Sequence, residues 1–188
     1  VCGKFLKSQG KLNGNTVVTT VMSNMGLYKA FEAEGINYEQ TAVGDKYVAE
    51  NMLENNYSIG GEQSGHVIFS RYAATGDGIL TSLMIMEACV EQKATLCDLA
   101  KEMKVYPQIL RNVRVADKKT ARENPKVVEA VEAAARALST DGRILVRESG
   151  TEPLIRVMVE AGTEEICAEH VNNVVRVMEE EGLVVEYQ

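Results

Sequence analysis

The polar segment RESGTEP, at 147–153, lies between two apolar runs and carries groups that bind phosphate in proteins. With the strand that follows, it supplies two guanidinium groups, two hydroxyls and a glycine: Arg147, Arg156, Ser149, Thr151 and Gly150. Guanidinium groups make forked contacts with phosphate oxygens, hydroxyls donate to them, and glycine leaves backbone N–H groups open to an anion. The segment therefore predicts a phosphate-binding loop. Residue types alone also allow a polar hairpin with a surface salt bridge from Arg147 to Glu148 or Glu152.

A second polar segment, GGEQSGH at 60–66, carries groups that can hold sugar hydroxyls. Glu62 can accept hydrogen bonds from two neighbouring hydroxyls, Ser64 can donate or accept beside it, and His66 can donate to a sugar or phosphate oxygen. The two leading glycines allow a tight turn at a strand end. Each side chain also has a structural interpretation: an ion pair for Glu62, a turn for Ser64 and a bond to a backbone carbonyl for His66.

Strand and helix patterns alternate along the first half of the chain. Strands are predicted at 16–22, 36–43, 57–59 and 67–69, and helices at 1–10, 27–34, 79–90, 96–103 and between a capping Asp45 and Asn55. The segment 79–90 is apolar on most faces, which predicts that this helix is buried. The alternation predicts a layered α/β domain at 1–104 with a mixed, largely parallel sheet.

The second half has a different order of elements. Pro107 breaks any helix, which predicts a hinge at 105–110 and a second domain at 111–188. Its predicted elements are a strand at 109–115, a helix from Pro125 to 138, strands on both sides of RESGTEP, a helix from Thr163 to 182 and a closing strand at 183–187. This β-α-β-β-α-β order is the split βαβ pattern of an α+β domain.

Composition excludes several classes of function. Of the 188 residues, 45% are hydrophobic and 25% charged, with a net charge of −7 and aromatic residues at 5%. The split βαβ order also occurs in nucleic-acid binders, but those stack bases on aromatic side chains and carry basic charge. No apolar run approaches the roughly 20 residues that cross a bilayer. The four cysteines form no metal-ligand pattern, and we expect reduced thiols and a cytoplasmic protein.

The segment RESGTEPLIR resembles the C-terminal phosphate-binding loop of the α-phosphohexomutase superfamily, and the VMVEA after it resembles the phosphoglucosamine mutase branch. GGEQSGH is similar to that family's sugar-binding loop, and VGDKYV at 43–48 and ATGDGI at 74–79 resemble further family segments in the expected order. The resemblance implies domains three and four of a four-domain enzyme.

The resemblance also implies a reaction. Phosphoglucosamine mutases interconvert glucosamine 6-phosphate and glucosamine 1-phosphate through a phosphoserine and a bisphosphorylated sugar, and they supply amino-sugar nucleotides for cell-wall synthesis. The RESGTEP loop would hold the phosphate that is not transferred, while Glu62, Ser64 and His66 would hold the sugar. Lys46 would contact substrate at a position where we expect arginine. The implied cofactors are Mg²⁺ and, as activator or intermediate, glucosamine 1,6-bisphosphate or glucose 1,6-bisphosphate.

Two motifs of the family do not occur in the 188 residues: the TASHNP-like phosphoserine loop and the DGDxDR-like magnesium loop. We therefore expect no catalytic residue and no metal ligand here. The chain is predicted to be an inactive C-terminal fragment whose partners are two N-terminal domains, a hexosamine phosphate and, at full length, a second copy. The alternatives are a phosphomannomutase or phosphoglucomutase of the same superfamily, and a non-catalytic module that binds sugar phosphates.

Overall fold

Residues 1–185 are described by a computed structural model, which divides into two units, Val1–Val105 and Tyr106–Gln188. The elements of unit 1 are α1 (Cys2–Ser8), β1 (Thr16–Thr20), α2 (Met25–Ala33), β2 (Asn37–Thr41), α3 (Asp45–Asn55), β3 (Ile59–Gly61), β4 (Val67–Phe69), α4 (Gly78–Gln92) and α5 (Leu96–Ala100). The sheet order is β2-β1-β3-β4, in which β1 is parallel to β2 and β3, and β3 is antiparallel to β4. The prediction of an α/β domain with a mixed, largely parallel sheet is confirmed.

Strand β1 is buried along its whole length because helices cover both faces of the sheet. Val17 packs on one side, in a cluster with Phe31 of α2 and Met84 of α4. Val18 points the opposite way, as the next residue of a strand does, and packs with Val48 of α3. The continuous apolar and β-branched run TVVTT therefore forms the central strand of a three-layer unit.

The prediction that α4 is buried is wrong. Only Met84 and Ala88 of this helix are buried. Four large apolar side chains on its other side are exposed: Ile79, Leu83, Met86 and Val90. The sheet contacts only one face of a helix that lies on it, and the described residues place no second element over the opposite face of α4.

The predicted cap of α3 is wrong by one residue. Gly44 is the N-cap, with a φ of 137°, and Asp45 is the first residue of the helix. That φ lies in the region that favours glycine. The Asp45 side chain instead accepts a hydrogen bond from the backbone N–H of Lys46 at 2.8 Å.

Unit 2 is a sheet with helices on one face. Its elements are β5 (Gln108–Arg114), α6 (Lys118–Glu123), α7 (Pro125–Leu138), β6 (Arg143–Glu148), β7 (Leu154–Glu160) and α8 (Glu164–Glu180). The sheet order is β5-β7-β6 with both pairings antiparallel, and α7 and α8 share a core with residues of these strands. The predicted α+β order is confirmed up to α8, with α6 as an additional short helix. Val184 bridges to Val115, but the predicted closing strand at 183–187 extends outside the described residues.

The register of this sheet is fixed by a row of three polar residues. Glu160 of β7 is fully buried and lies directly opposite Gln108 of β5 and Arg143 of β6. Its carboxylate accepts hydrogen bonds from Arg143 Nε at 2.7 Å and from Gln108 Nε2 at 3.2 Å. A buried carboxylate loses its solvation and needs such partners, so a slip of any strand would leave it unpaired.

We expect Gly26→Ala to destabilise unit 1. A Cβ at Gly26 in α2 would lie 1.7 Å from the backbone carbonyl oxygen of Lys104, so one of the two segments would have to move. Overpacking of this kind costs about 1–3 kcal/mol or more, measurable as a lower urea midpoint of unfolding. Gly78→Ala in α4 is the control, because a Cβ there has open space. Equal stability of the two variants would contradict the close approach.

Candidate functional site

The loop between β3 and β4 is closed by backbone hydrogen bonds and depends on glycine. The N–H of Glu62 donates to the carbonyl of His66 at 2.9 Å, and the N–H of Gly65 donates to the carbonyl of Glu62 at 3.1 Å. Gly65 has a φ of 97°, a conformation that side chains rarely adopt. A Cβ at Gly61 would lie 2.7 Å from the carbonyl oxygen of His66. The glycines of GGEQSGH therefore shape the loop that presents the polar side chains.

The structure places Glu62 against the start of α3. Its Oε1 accepts a hydrogen bond from the N–H of Gly44 at 2.9 Å, at the helix end whose N–H groups favour negative charge. Its Oε2 makes no hydrogen bond within residues 1–185. Lys46 lies in the first turn of the same helix, where its Nζ is 3.7 Å from Glu50 and its side chain is 74% exposed. The helix start thus brings Glu62 and Lys46 to one edge of the sheet.

Ser64 and His66 contact each other at the exposed tip of the loop. Ser64 Oγ and His66 Nδ1 are 3.0 Å apart, so the Nε2 side of the ring remains for another partner. A Cβ at Gly76 would lie 3.3 Å from the His66 ring, which means that the ring packs on the ATGDGI segment. Asp77 of that segment caps α4 by accepting from the N–H of Leu80 at 2.9 Å, a structural role.

A cavity of about 470 Å³ opens at the carboxyl ends of β1 and β3. The chain leaves these neighbouring parallel strands toward opposite edges of the sheet, and such a switch point is where ligands bind in open α/β sheets. The polar side chains that line it are Thr19, Ser23, Asn24, Glu62, Gln63 and Thr81. The sequence assigns Thr19, Ser23 and Asn24 only to a strand and to the turn after it. Their approach to Glu62 depends on the order of the strands in the sheet, which the local sequence does not show.

In unit 2, Ser149 closes the loop between β6 and β7. Its N–H donates to the carbonyl of Leu154 at 2.9 Å, and its Oγ accepts from the N–H of Glu152 at 3.3 Å. Arg156 Nη2 also donates to this oxygen, at 3.5 Å. The side chain of Ser149 is buried rather than turned outward. Ser149 therefore supports the loop, and its direct contact with phosphate stays a prediction.

Arg147 and Arg156 lie directly opposite each other on β6 and β7. Residues paired in this way project from the same face of the sheet with their Cβ atoms roughly 5 Å apart. Each Nε is buried without a hydrogen-bond partner, and Arg147 forms no hydrogen bond or ion pair within the described part of the chain. Burial, and to a smaller extent the guanidinium of Arg156, lowers the pKa of Arg147 below its ordinary value. Two cations placed so close together, one of them partly desolvated, can hold an anion between them.

The salt-bridge interpretation of this loop does not hold for Arg147. Glu148 pairs instead with Arg122 of α6 at 3.4 Å. Glu152 pairs with Arg156 at 3.6 Å. The acidic residues of the loop are thus engaged by other cations, and the guanidinium of Arg147 is left for a ligand.

The tip of the loop offers further donors. The N–H groups of Gly150 and Thr151 make no hydrogen bond among residues 1–185, and both residues are exposed. A third cation, Lys118 of α6, donates to the carbonyl of Ser149 at 2.8 Å. Sequence reasoning missed Lys118, because nothing in its local pattern indicates that α6 returns to this loop. Two open amides beside three cations resemble an anion-binding nest.

No group of three or more His, Cys, Asp or Glu side chains within the described residues could hold a metal ion. The residues described here therefore do not fit the implied Mg²⁺, and no step through a metal is assigned to them. Over the same residues, no helix is both long and apolar enough to cross a membrane.

Comparison with known proteins gives matches over nearly the whole chain. The chain is 60% identical over 185 residues to a phosphoglucosamine mutase of Lachnospira eligens, covering 98% of this chain and 41% of the relative. A solved structure of an Aspergillus fumigatus N-acetylphosphoglucosamine mutase variant with glucose 1,6-bisphosphate matches with a TM-score of 0.75 at 19% identity, over 97% of this chain and 42% of that one. The same enzyme with GlcNAc-6P and magnesium matches with a TM-score of 0.75 at 18% identity, over 96% and 42%. At these identities the two structures show the fold alone.

The chain spans about two-fifths of the length of the curated relatives that it matches. Residues 1–106 match the model of the phosphoglucomutase/phosphomannomutase alpha/beta/alpha domain III, and residues 110–177 match that of the C-terminal domain. The resemblance stated from the sequence is confirmed, and the chain belongs to the phosphoglucomutase/phosphomannomutase family.

Proposed function

We propose that this chain is the sugar- and phosphate-binding half of a phosphoglucosamine mutase, which interconverts glucosamine 6-phosphate and glucosamine 1-phosphate. The observation that carries the proposal is the pair of Arg147 and Arg156, whose Nε atoms are buried without hydrogen-bond partners, beside the open N–H groups of the loop tip. The 60% identity to a phosphoglucosamine mutase supports the choice of sugar.

In this proposal the RESGTEP loop holds the phosphate that is not transferred. A phosphate dianion would lie between the guanidinium groups of Arg147 and Arg156 and accept hydrogen bonds from them. The N–H groups of Gly150 and Thr151, together with the Thr151 hydroxyl, would complete its contacts. Binding would relieve the repulsion between the two cations, so the strain in the free protein favours the bound state.

The sugar would be held by the loop of unit 1. Glu62 would accept from sugar hydroxyls with Oε2 while Oε1 stays on the N–H of Gly44. Ser64 and His66 would donate to sugar oxygens, and Lys46 would reach the substrate as a single mobile charge. Hydrogen bonds to individual hydroxyl groups suit a mutase. The bisphosphorylated sugar must bind in two orientations that exchange its phosphorylated ends, and such hydrogen bonds can form in both.

The chemical step would belong to the rest of the protein. The phosphoserine and the Mg²⁺ ligands would lie outside this chain, with glucosamine 1,6-bisphosphate or glucose 1,6-bisphosphate as the exchanged intermediate. These 188 residues alone would bind sugar phosphate without turning it over. Positioning and charge stabilisation are most of what phosphoryl transfer needs from a protein, so a separate binding half is consistent with this chemistry.

We also infer a division into a sugar-binding domain at 1–104, a hinge at 105–110 and a phosphate-binding domain at 111–188. Four free thiols, Cys2, Cys89, Cys97 and Cys167, support a reducing cytoplasmic location. The full-length protein would act as a homodimer in supplying amino sugars for peptidoglycan.

A phosphomannomutase or phosphoglucomutase is the second candidate. The matched family carries both names, and no described residue of the two loops recognises an amine. Relative turnover of glucosamine and glucose phosphates by the full-length protein decides between them, and a strong preference for glucose phosphate would overturn the first proposal.

Titration of the 188-residue chain with glucosamine 6-phosphate, followed by amide chemical shifts, tests the phosphate loop directly. We expect the largest shifts at 147–151, because the donors there are already arranged. Shifts at 61–66 would show that the sugar loop also binds in this chain. No shifts at millimolar ligand would mean that binding requires domains outside it.

Arg147→Ala is expected to weaken the binding of glucosamine 6-phosphate to the full-length protein by roughly 1.5–3 kcal/mol, the contribution of a hydrogen bond to a charged group. Stability should not fall, because the substitution removes a desolvated cation without an ion-pair partner. Calorimetric titration measures the affinity, and thermal unfolding measures the stability. Arg136→Ala, at an exposed arginine paired with Glu132, is the matched control. Unchanged affinity in Arg147→Ala would show that the loop has only a structural role.

Glu62→Gln is expected to lower kcat/KM by roughly 10- to 100-fold, because a hydrogen bond to a charged group contributes about 1.5–3 kcal/mol. The amide oxygen of glutamine can still accept from Gly44, so the melting temperature should change little. Steady-state kinetics and thermal unfolding of the full-length enzyme provide the two readouts. Glu54→Gln, at another exposed glutamate of α3, is the control. A large loss of stability with normal specific activity would refute the role of Glu62 in sugar binding.

A further inference from the structure

Helix α4 has two apolar faces, and only one of them is packed within unit 1. Met84 and Ala88 lie on the packed face. The other face carries four large side chains with exposed fractions of 79, 55, 54 and 75%, here called the α4 stripe: Ile79, Leu83, Met86 and Val90. At 3.6 residues per turn these four positions fall within one narrow arc on the side opposite Met84 and Ala88.

The spacing of the α4 stripe is that of a seam between two helices. Its members follow one another at intervals of four, three and four residues, the a/d repeat of helix pairs. By the same helical geometry, the polar residues Ser82 and Glu87 border it on either side. An apolar centre with a polar border is typical of an interface and not of a helix face in contact with water.

We propose that the α4 stripe is the docking face for an amphipathic helix that belongs to the preceding part of the full-length protein. The chain covers only 41% of its L. eligens relative, and it matches the models of domain III and of the C-terminal domain. The remaining length therefore lies largely before the region matched here, and it contains the occupant. This inference does not depend on the sugar that the protein binds.

A second copy of this chain is a less favourable occupant, because the α4 stripe offers only a small contact area. Four side chains along about 16 Å of helix bury much less than the roughly 800 Å² per partner of a stable interface between separate chains. A contact of this size becomes stable when both helices belong to one polypeptide, since the connection gives the second helix a high effective concentration. The size of the stripe thus favours a partner in the same chain.

The test compares the full-length protein with the 188-residue chain. Leu83→Glu in the full-length protein should lower the melting temperature by several degrees, because it places a charge within the seam. In the 188-residue chain, Leu83→Glu should change the melting temperature no more than a substitution at any other water-exposed helix position does. Leu53→Glu in α3 is the matched control, since Leu53 is 84% exposed and lies outside the stripe. It should leave the melting temperature of both forms nearly unchanged.

Oxidation of Met86 by peroxide provides a readout that needs no substitution. Mass spectrometry should show Met86 oxidising at least about five-fold more slowly in the full-length protein than in the 188-residue chain, because a docked helix excludes the oxidant. Equal oxidation rates would overturn the proposal. So would a 188-residue dimer that Leu83→Glu converts to a monomer, which would identify a second copy as the occupant. A fall in the melting temperature of the 188-residue Leu83→Glu variant would also overturn it, by placing the covering element inside this chain.

Discussion

The opposition of Arg147 and Arg156 is the interaction on which the proposed phosphate site depends. Two like charges on directly opposed residues of antiparallel strands destabilise the sheet, and desolvation of Arg147 adds to this cost. The pairing persists because the rest of the sheet fixes the register. Glu160 accepts hydrogen bonds from Arg143 and Gln108, and these contacts fix the register of all three strands at the end of the β6–β7 hairpin that is opposite the loop. A one-residue slip of β6 or β7 would turn the guanidinium group of the strand that slipped toward the face that α7 and α8 cover.

The loop of unit 1 uses a different means to prepare its site. Glu62 is a carboxylate, and an exposed loop would leave it mobile. The hydrogen bond from Gly44 ties it to the start of α3, where the helix N–H groups already favour a negative charge. Glycine is required on both sides of this contact: Gly44 for its positive φ and Gly61 for its close approach to His66. Oε1 of Glu62 is thus held by the N–H of Gly44, and Oε2 is left open to a ligand.

Much of the fold could be predicted from the sequence because its patterns are local. The run TVVTT reads as a buried central strand, and the alternation of strands and helices indicates the layered unit. The site residues could be grouped into two loops for the same reason. The wrong or missing predictions concern residues whose neighbours in the fold are distant in the sequence. The apolar residues on most faces of 79–90 predict a buried helix, but only the face with Met84 and Ala88 is buried within the described residues. Lys118 reaches the phosphate loop only because α6 folds back onto it, and the burial of Ser149 follows from the exact path of a five-residue turn.

The net charge of the chain explains why the proposed phosphate site would be selective. The chain has a net charge of −7, so its general surface repels anions, and long-range attraction cannot concentrate phosphate compounds on it. Binding must come from a local arrangement in which cations are not neutralised by neighbouring carboxylates. The loop meets this requirement by pairing Glu148 with Arg122 and Glu152 with Arg156, which leaves Arg147 without an acidic partner among the described residues. An anion that fits the fork of Arg147 and the open N–H groups gains contacts that no exposed lysine on this acidic surface can offer. Selection by fit rather than by overall charge is what binding of the proposed sugar phosphate would require, since that ligand would have to be distinguished from many other cellular anions of equal charge.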